Sequence, residues 1–154
     1  MDAPIIFLDF DGVMRRNASP EGRLEPALLS HLERLFARFS RLRGVFSTNW
    51  RVYKSLTELS DHLPATLRPR FIDVTPEVTY AGIASRYSEI LAWRRAVGHT
   101  GSWVAIDDRP AEFPDRCPQL CICDAARGFD AEAEARCTQQ LIELVTADRR
   151  NRSQ

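Results

Sequence analysis

The chain has 154 residues, of which 44% are hydrophobic and 27% charged, and this composition is typical of one ordinary globular domain. Its 21 basic and 21 acidic residues cancel, which excludes a strongly basic nucleic-acid-binding protein but leaves room for a local basic patch. No run approaches the ~20 apolar residues of a membrane span, and the N-terminus lacks the basic segment of a signal peptide. We therefore expect a cytoplasmic protein with no membrane partner.

Short apolar runs alternate with amphipathic stretches along the chain, as in a parallel sheet with helices on both faces. The first run, Ile5–Leu8, is continuously apolar, which is typical of a strand covered on both sides. In chain order, the sequence predicts strands at 5–8, 44–46, 70–74, 103–106 and 120–123, and helices from Pro26, at about 51–62, at 85–97 and at about 130–146. These elements predict an α/β fold with one domain over residues 1–148, followed by a polar, disordered tail over 149–154.

Four cysteines lie in the last third of the chain, at spacings that do not match paired zinc-binding motifs. Cys121 and Cys123 alternate within a predicted strand, where reduced thiols pack well. We predict reduced, buried thiols, with a metal or disulfide role as the alternative. The three histidines are widely separated, and we expect them at the surface or in packing.

Polar side chains follow three of the predicted strands. Asp9-Phe10-Asp11-Gly12 follows the first strand, Ser47-Thr48-Asn49 the second and Asp107-Asp108-Arg109 the fourth. Because ligands of parallel sheets bind beyond the carboxyl ends of the strands, we expect four carboxylates and a hydroxyl to converge there. Clustered carboxylates repel one another unless a cation lies between them, and oxygen ligands of this kind suit Mg²⁺.

The spacing of the first two acids has a chemical logic of its own. Along an extended strand, Asp9 and Asp11 point to the same side. One of them can attack a phosphorus atom, while the other protonates the leaving oxygen and later activates water. Gly12 lets the chain turn away without a side chain that would block the phosphate.

These segments resemble the motifs of the haloacid dehalogenase (HAD) superfamily of phosphohydrolases. Phe7–Val13 matches its first motif, a hydrophobic strand followed by D-x-D-G-[VT]. Phe46–Asn49 matches the second motif, a strand ending in Ser or Thr, and Val104–Asp108 matches the fourth, a strand ending in two acids. The resemblance covers about residues 4–124 and implies a three-layer, Rossmann-like HAD core.

By this resemblance, Asp9 is the nucleophile that forms an aspartyl-phosphate, and Asp11 is the general acid and base. Thr48 holds a phosphate oxygen through its hydroxyl, with Ser47 as the alternative. The implied Mg²⁺ ligands are Asp9, the backbone carbonyl of Asp11, and the pair Asp107 and Asp108, of which Asp108 is favoured as a direct ligand. The remaining candidates for substrate binding are Gly12, Ser47, Asn49 and Arg51.

The third motif of the superfamily is only a Lys or Arg, and the chain offers several arginines for it. Arg86 lies on the same stripe of a predicted helix as Ile90, Trp93 and Val97. A cation at the start of an inward-facing apolar stripe requires a partner, and the carboxylate cluster is the obvious one. We therefore predict Arg86 as this cation, with a simple ion pair at the helix start as its alternative role. The competing residues are Arg94, Arg95 and Arg109.

Within the superfamily, Asp11 favours phosphomonoester hydrolysis, because dehalogenases lack this acid and the ATPases carry Thr there together with membrane spans. The segments between the motifs hold little beyond loops and single helices, so the resemblance implies a nearly capless enzyme. An open site suits large phosphates such as nucleic-acid ends or phosphoproteins, or a cap from another subunit.

Two segments, Thr48–Arg51 and Arg86–Trp93, are similar to the small phosphatase domains associated with RNA-repair proteins. In that case Trp50 would stack on a base and Arg51 would take a phosphate; core packing of Trp50 is the alternative. The zero net charge gives no support to tight polynucleotide binding. A phosphoprotein phosphatase, and a binding or regulatory module without turnover, therefore stay open as alternatives.

Overall fold

The structure, a computed structural model, describes residues 2–20, 22–78 and 85–154. Its five strands form one parallel sheet in the order β3-β2-β1-β4-β5. The strands are β1 (Ile5–Leu8), β2 (Arg43–Phe46), β3 (Phe71–Val74), β4 (Trp103–Asp107) and β5 (Leu120–Ile122). The order reverses between β1 and β4, and such a switch point is where parallel sheets place their ligands. The predicted parallel α/β fold is confirmed.

Within the described ranges, four α-helices cover the two faces of this sheet. They are α1 (Pro26–Arg38), α2 (Leu56–Ser60), α3 (Ser85–Val97) and α4 (Ala131–Arg152). The core on one face contains residues of α1, α2 and α4, whereas α3 packs on the other face. There the ring of Phe7 meets Trp93 and Trp103 edge to face, at centroid distances of 5.5 and 5.6 Å. The three-layer arrangement follows, because β1 has buried side chains on both of its sides.

The prediction of one continuous helix at about 51–62 is wrong. The structure has a 3₁₀ turn over Asn49–Val52, and a separate short helix, α2, begins after Ser55. The Ser55 hydroxyl accepts from the amide of Glu58, and the Glu58 carboxylate accepts from the amide of Ser55. This reciprocal capping box starts a new helix where periodicity alone predicted a continuous one.

The C-terminal prediction also needs correction, because α4 continues to Arg152 and residues 149–152 are helical. Two contacts tie the last turns of this helix to the amino edge of the sheet. Arg152 pairs with Asp2 at 3.0 Å, and the Ser102 hydroxyl donates to Asp148. A polar sequence therefore stays ordered through its partners rather than through burial of apolar surface.

Little is inserted between the elements of the core. Within the described residues, a loop without helix or strand joins β1 to α1, and only α2 and short 3₁₀ turns lie between β2 and β3. All four cysteines are free, and Cys121, Cys123 and Cys137 are buried, whereas Cys117 is partly exposed. In the described part of the chain, no helix combines the length and the apolar character needed to cross a membrane.

Candidate active site

Three acids meet at the edge of the sheet where β1 and β4 end. Asp9 follows β1, Asp107 is the last residue of β4, and Asp108 comes next. Each offers a carboxylate oxygen within 4.8 Å of the others. The Asp9 carboxylate accepts from the amide of Phe10, and the Asp107 carboxylate accepts from the amide of Arg109. The loop backbone therefore holds two of the three carboxylates in position.

Burial places these acids under electrostatic strain. Asp9 is 5% exposed and Asp107 is completely buried. Burial raises the pKa of Asp9 well above its ordinary value, the negative charge of Asp107 raises it further, and Arg86 opposes the shift. Burial also raises the pKa of Asp107, to about 6. A nearby cation would relieve this strain, because it favours the charged form of each acid.

Arg86 brings one such cation into the cluster. It lies in the first turn of α3 and is 4% exposed. Its guanidinium is 3.4 Å from an Asp9 oxygen and 3.4 Å from an Asp107 oxygen. It also donates to the Ser47 carbonyl and to the Asn49 side chain. Arg86, which the sequence predicts on the inward-facing stripe of this helix, thus lies against the acids as expected.

The competing arginines take other positions. Arg94 donates to a ring nitrogen of His99 and to the carbonyl of Gly101. Arg95 and Arg109 are exposed. Among the described residues, Arg86 is therefore the arginine that pairs with Asp9 and Asp107.

The donor set fits a hard divalent cation. Oδ2 of Asp107 and Oδ1 of Asp108 are buried and make no hydrogen bond in the described part of the chain, although the Nε atom of Arg86 lies 3.4 Å from Oδ2 of Asp107. Buried oxygens without partners are costly, and coordination of a cation would satisfy them. Three carboxylates without any thiol or imidazole match the ligand preference of Mg²⁺.

The expectation that four carboxylates converge is wrong, because the Asp11 side chain lies outside the cluster. Its carboxylate is 54% exposed and accepts from the Arg15 guanidinium at 2.7 Å and from the Trp50 indole at 2.9 Å. Strand β1 ends at Leu8, so strand alternation no longer fixes the direction of Asp11. Arg15 and Trp50 were missed as its partners, since neither belongs to a recognisable motif. The metal contact through the Asp11 backbone carbonyl stays a prediction.

Gly12 leaves space for the side chain of Asp108, a contact that the sequence did not predict. Its φ is +77°, in the region that favours glycine, and a Cβ added there would overlap the carboxylate of Asp108. The absence of a side chain therefore gives room to an acid of the cluster. Clearance for a phosphate, the predicted reason, stays a prediction.

The hydroxyls of Ser47 and Thr48 lie buried at the end of β2. The Thr48 hydroxyl accepts a 3.3 Å hydrogen bond from the amide of Trp50. The Ser47 hydroxyl has no hydrogen-bond partner among the described residues. Asn49 is exposed and, as noted, accepts from Arg86. The residues of the second motif thus lie close to the acids, and both hydroxyls keep unused capacity to donate.

The prediction that Arg51 takes a phosphate is wrong. Its side chain is 3% exposed, and its nitrogens already donate to protein acceptors. One acceptor is the Glu89 carboxylate on α3, at 2.5 Å. The others are the backbone carbonyls of Ser47, Thr48, Thr75 and Pro76. Arg51 therefore joins the ends of β2 and β3 to α3. Its contact on this helix, Glu89, lies three residues after Arg86.

Trp50 follows the core-packing alternative rather than the base-stacking one. It is 7% exposed and meets Phe10 and His62 edge to face, at centroid distances of 5.0 and 5.2 Å. Its indole nitrogen donates to Asp11. A ring that is 7% exposed and supports the Asp11 carboxylate leaves little surface on which a base could stack.

Comparison with known proteins agrees with this geometry. A family model described as "HAD domain in Swiss Army Knife RNA repair proteins" matches residues 5–133, which include every residue of the acid cluster and Arg86. Searches of curated proteins and of solved structures found no match. The matched segment spans all five strands, and the chain belongs to this family of HAD domains.

Proposed function

We propose that this protein is a Mg²⁺-dependent phosphomonoester hydrolase that works through an aspartyl-phosphate on Asp9. The observation that carries the proposal is the position of the Asp9 carboxylate, buried between Arg86 and two further acids at the carboxyl edge of the sheet. Membership of a HAD family supports hydrolase chemistry at the level of the superfamily.

In the first step, an Asp9 oxygen attacks the phosphorus atom of the substrate and the bond from phosphorus to the leaving oxygen breaks. Asp11, in its protonated form, gives the leaving oxygen its proton. Asp11 is close enough in the chain for this role and exposed enough to reach a substrate. Arg86, and the hydroxyls of Ser47 and Thr48, hold the phosphate oxygens while charge develops on them.

In the second step, the Asp11 carboxylate accepts a proton from water, and the water oxygen attacks the phosphorus atom of the aspartyl-phosphate. The bond to Asp9 breaks, inorganic phosphate leaves, and both acids return to their starting states. Asp9, Asp107 and Asp108 would hold Mg²⁺, which supplies positive charge that offsets the charge of nucleophile and phosphate.

An open carboxyl edge favours a large phosphorylated substrate, and we propose a nucleic-acid end. The family description supports this choice, because it refers to RNA repair proteins. The lack of a domain inserted among the described elements also supports it, since a bulky substrate needs access to Asp9.

The test is the hydrolysis of a generic aryl phosphate, with Mg²⁺ or with EDTA, by wild type and Asp9→Asn. We expect turnover that requires both the metal and Asp9, with unchanged circular dichroism in the variant. Panels of phosphorylated oligonucleotides and phosphopeptides then separate the nucleic-acid substrate from a phosphoprotein. Equal activity of Asp9→Asn and wild type would overturn the mechanism. Mg²⁺ binding without turnover on any panel would instead favour a binding module.

A further inference from the structure

An open groove has Asp11 in its wall and none of the three acids of the cluster. Its volume is about 440 Å³, and its walls include Asp11, Arg15, Trp50, Tyr53, Lys54 and His62. The proposed function gives Asp11 the task of protonating the leaving oxygen. A substrate in reaction therefore has its leaving group beside Asp11, and so next to this groove.

One wall of the groove is an exposed aromatic ring. Tyr53 is 68% exposed, directly after the 3₁₀ turn that buries Trp50. A ring this exposed contributes little to the core, whereas it offers a flat face on which a base can stack. Trp50 and Tyr53 thus divide two roles between them: the first supports Asp11 from the core, and the second is free to contact a ligand.

The residue next to this ring is the only lysine of the chain. Lys54 has its ammonium 5.9 Å from the centre of the Tyr53 ring, and among the described residues it forms no ion pair. By contrast, Arg15 in the same groove is occupied by the Asp11 carboxylate and the Ser19 carbonyl. Lys54 is therefore the cation of this groove that remains available to an anion.

His62 also lines the groove, without adding positive charge. It is partly buried against Trp50 and Phe10, and burial lowers its pKa below the ordinary value of 6.5. A neutral imidazole can both donate and accept a hydrogen bond, as the polar edge of a base requires. Ring face, cation and imidazole together match a base with a phosphodiester rather than a peptide side chain.

We propose that this groove is the leaving-group subsite, and that it takes the terminal nucleotide of a phosphorylated oligonucleotide. The base stacks on Tyr53, and the next phosphodiester along the strand contacts Lys54. This assignment rests on the proposed function. Tyr53 and Lys54 take the base and phosphate contacts that the sequence resemblance suggests for Trp50 and Arg51.

The first experiment measures binding without turnover, in the Asp9→Asn background with Mg²⁺ present. A fluorescent trinucleotide with a terminal phosphate is titrated against this protein and against versions that also carry Tyr53→Ala or Lys54→Ala. We expect each second substitution to weaken binding by roughly tenfold, from loss of stacking or of a phosphate contact. Lys54→Ala should also reduce the slope of log affinity against log salt by about 1.

Two substitutions serve as matched controls. Val52 is 59% exposed and precedes Tyr53, but it does not line the groove. Arg41 is exposed just before β2, at the opposite edge of the sheet. Val52→Ala and Arg41→Ala should leave trinucleotide affinity unchanged. Equal affinity of the Tyr53→Ala, Lys54→Ala and parent proteins would overturn the subsite, as would a phosphopeptide that binds more tightly and responds to Tyr53→Ala.

The second experiment separates this inference from the proposed function. Acetyl phosphate has a leaving group without a ring, so its hydrolysis tests the chemistry at Asp9 alone. We expect Tyr53→Ala to lower kcat/KM for the phosphorylated trinucleotide, relative to acetyl phosphate, by about tenfold, with Tyr53→Phe largely restoring it. Metal- and Asp9-dependent hydrolysis of acetyl phosphate with an unchanged selectivity ratio would refute the subsite and leave the phosphatase standing.

Discussion

Removing the charge of Asp107 should stabilise the metal-free protein at alkaline pH. Asp107 is completely buried, and its pKa is raised to about 6, mainly because burial disfavours the charged form. The folded protein therefore binds a proton at Asp107 more tightly than the unfolded chain does. The change Asp107→Asn replaces this carboxyl with a group of nearly the same shape whose charge does not change with pH.

The magnitude follows from the two pKa values. The ordinary value is 3.8 and the folded value is about 6, a difference of roughly two units or ~3 kcal/mol. The stabilisation by protonated Asp107 is fully present below pH 3.8 and is lost as pH rises through 6. About 2 kcal/mol of this loss falls between roughly pH 4.5 and pH 8.

The assay is urea unfolding of wild type and Asp107→Asn in EDTA, at acidic and at mildly alkaline pH. We expect the variant to gain about 2 kcal/mol of unfolding free energy relative to wild type as pH rises. Asp115→Asn, at an exposed acid, is the control and should show no such gain. Adding Mg²⁺ should stabilise wild type at high pH far more than the variant. A difference between variant and wild type that does not change with pH would refute the reasoning.

Two further substitutions test the partners of the active site. Trp50→Phe keeps a ring against Phe10 but removes the hydrogen-bond donor to Asp11. We therefore expect the variant to slow the hydrolysis of alkyl phosphates about tenfold more than that of aryl phosphates, whose good leaving groups need less help from an acid. Equal losses on both substrates would contradict this role of Trp50. Arg51→Ala leaves the nearly buried Glu89 carboxylate and several backbone carbonyls without a donor. We therefore expect the unfolding free energy, measured in urea, to fall by about 3–5 kcal/mol. The control Arg109→Ala, at an exposed arginine, should lower it by less than ~0.5 kcal/mol. An equal effect of the two arginine substitutions would contradict the role of Arg51.

The sequence predicts the sheet and the acid cluster well, for physical reasons that particular residues illustrate. Ile5–Leu8 must be a central strand, because four consecutive apolar residues require cover on both faces. The acids that end β1 and β4 then share an edge, since parallel strands end together. Arg86 was found by the same logic, because a cation on an inward stripe needs an acid.

Residue type and spacing carry less information where the backbone leaves regular structure. From residue type and position, Arg51 is predicted to bind a phosphate. Its side chain instead donates to the neighbouring carbonyl of Thr48, to the distant carbonyl of Thr75 after β3 and to Glu89. Asp11 leaves the cluster because β1 ends before it and because Arg15 and Trp50 hold it. Such partners are fixed by loop conformation, which periodicity does not encode.

The most direct test of the central claim is to capture the phosphoryl group on Asp9. The variant Asp11→Asn should still release a good leaving group from an aryl phosphate, because that step needs no acid, but it should fail to activate water. With Mg²⁺, we expect a burst of about one aryl alcohol per chain and an acid-quenched protein whose phosphoryl group maps to Asp9. Asp9→Asn and EDTA should each abolish the burst. A burst with the phosphoryl group on another residue, or undiminished turnover without any phosphorylated protein, would contradict the account.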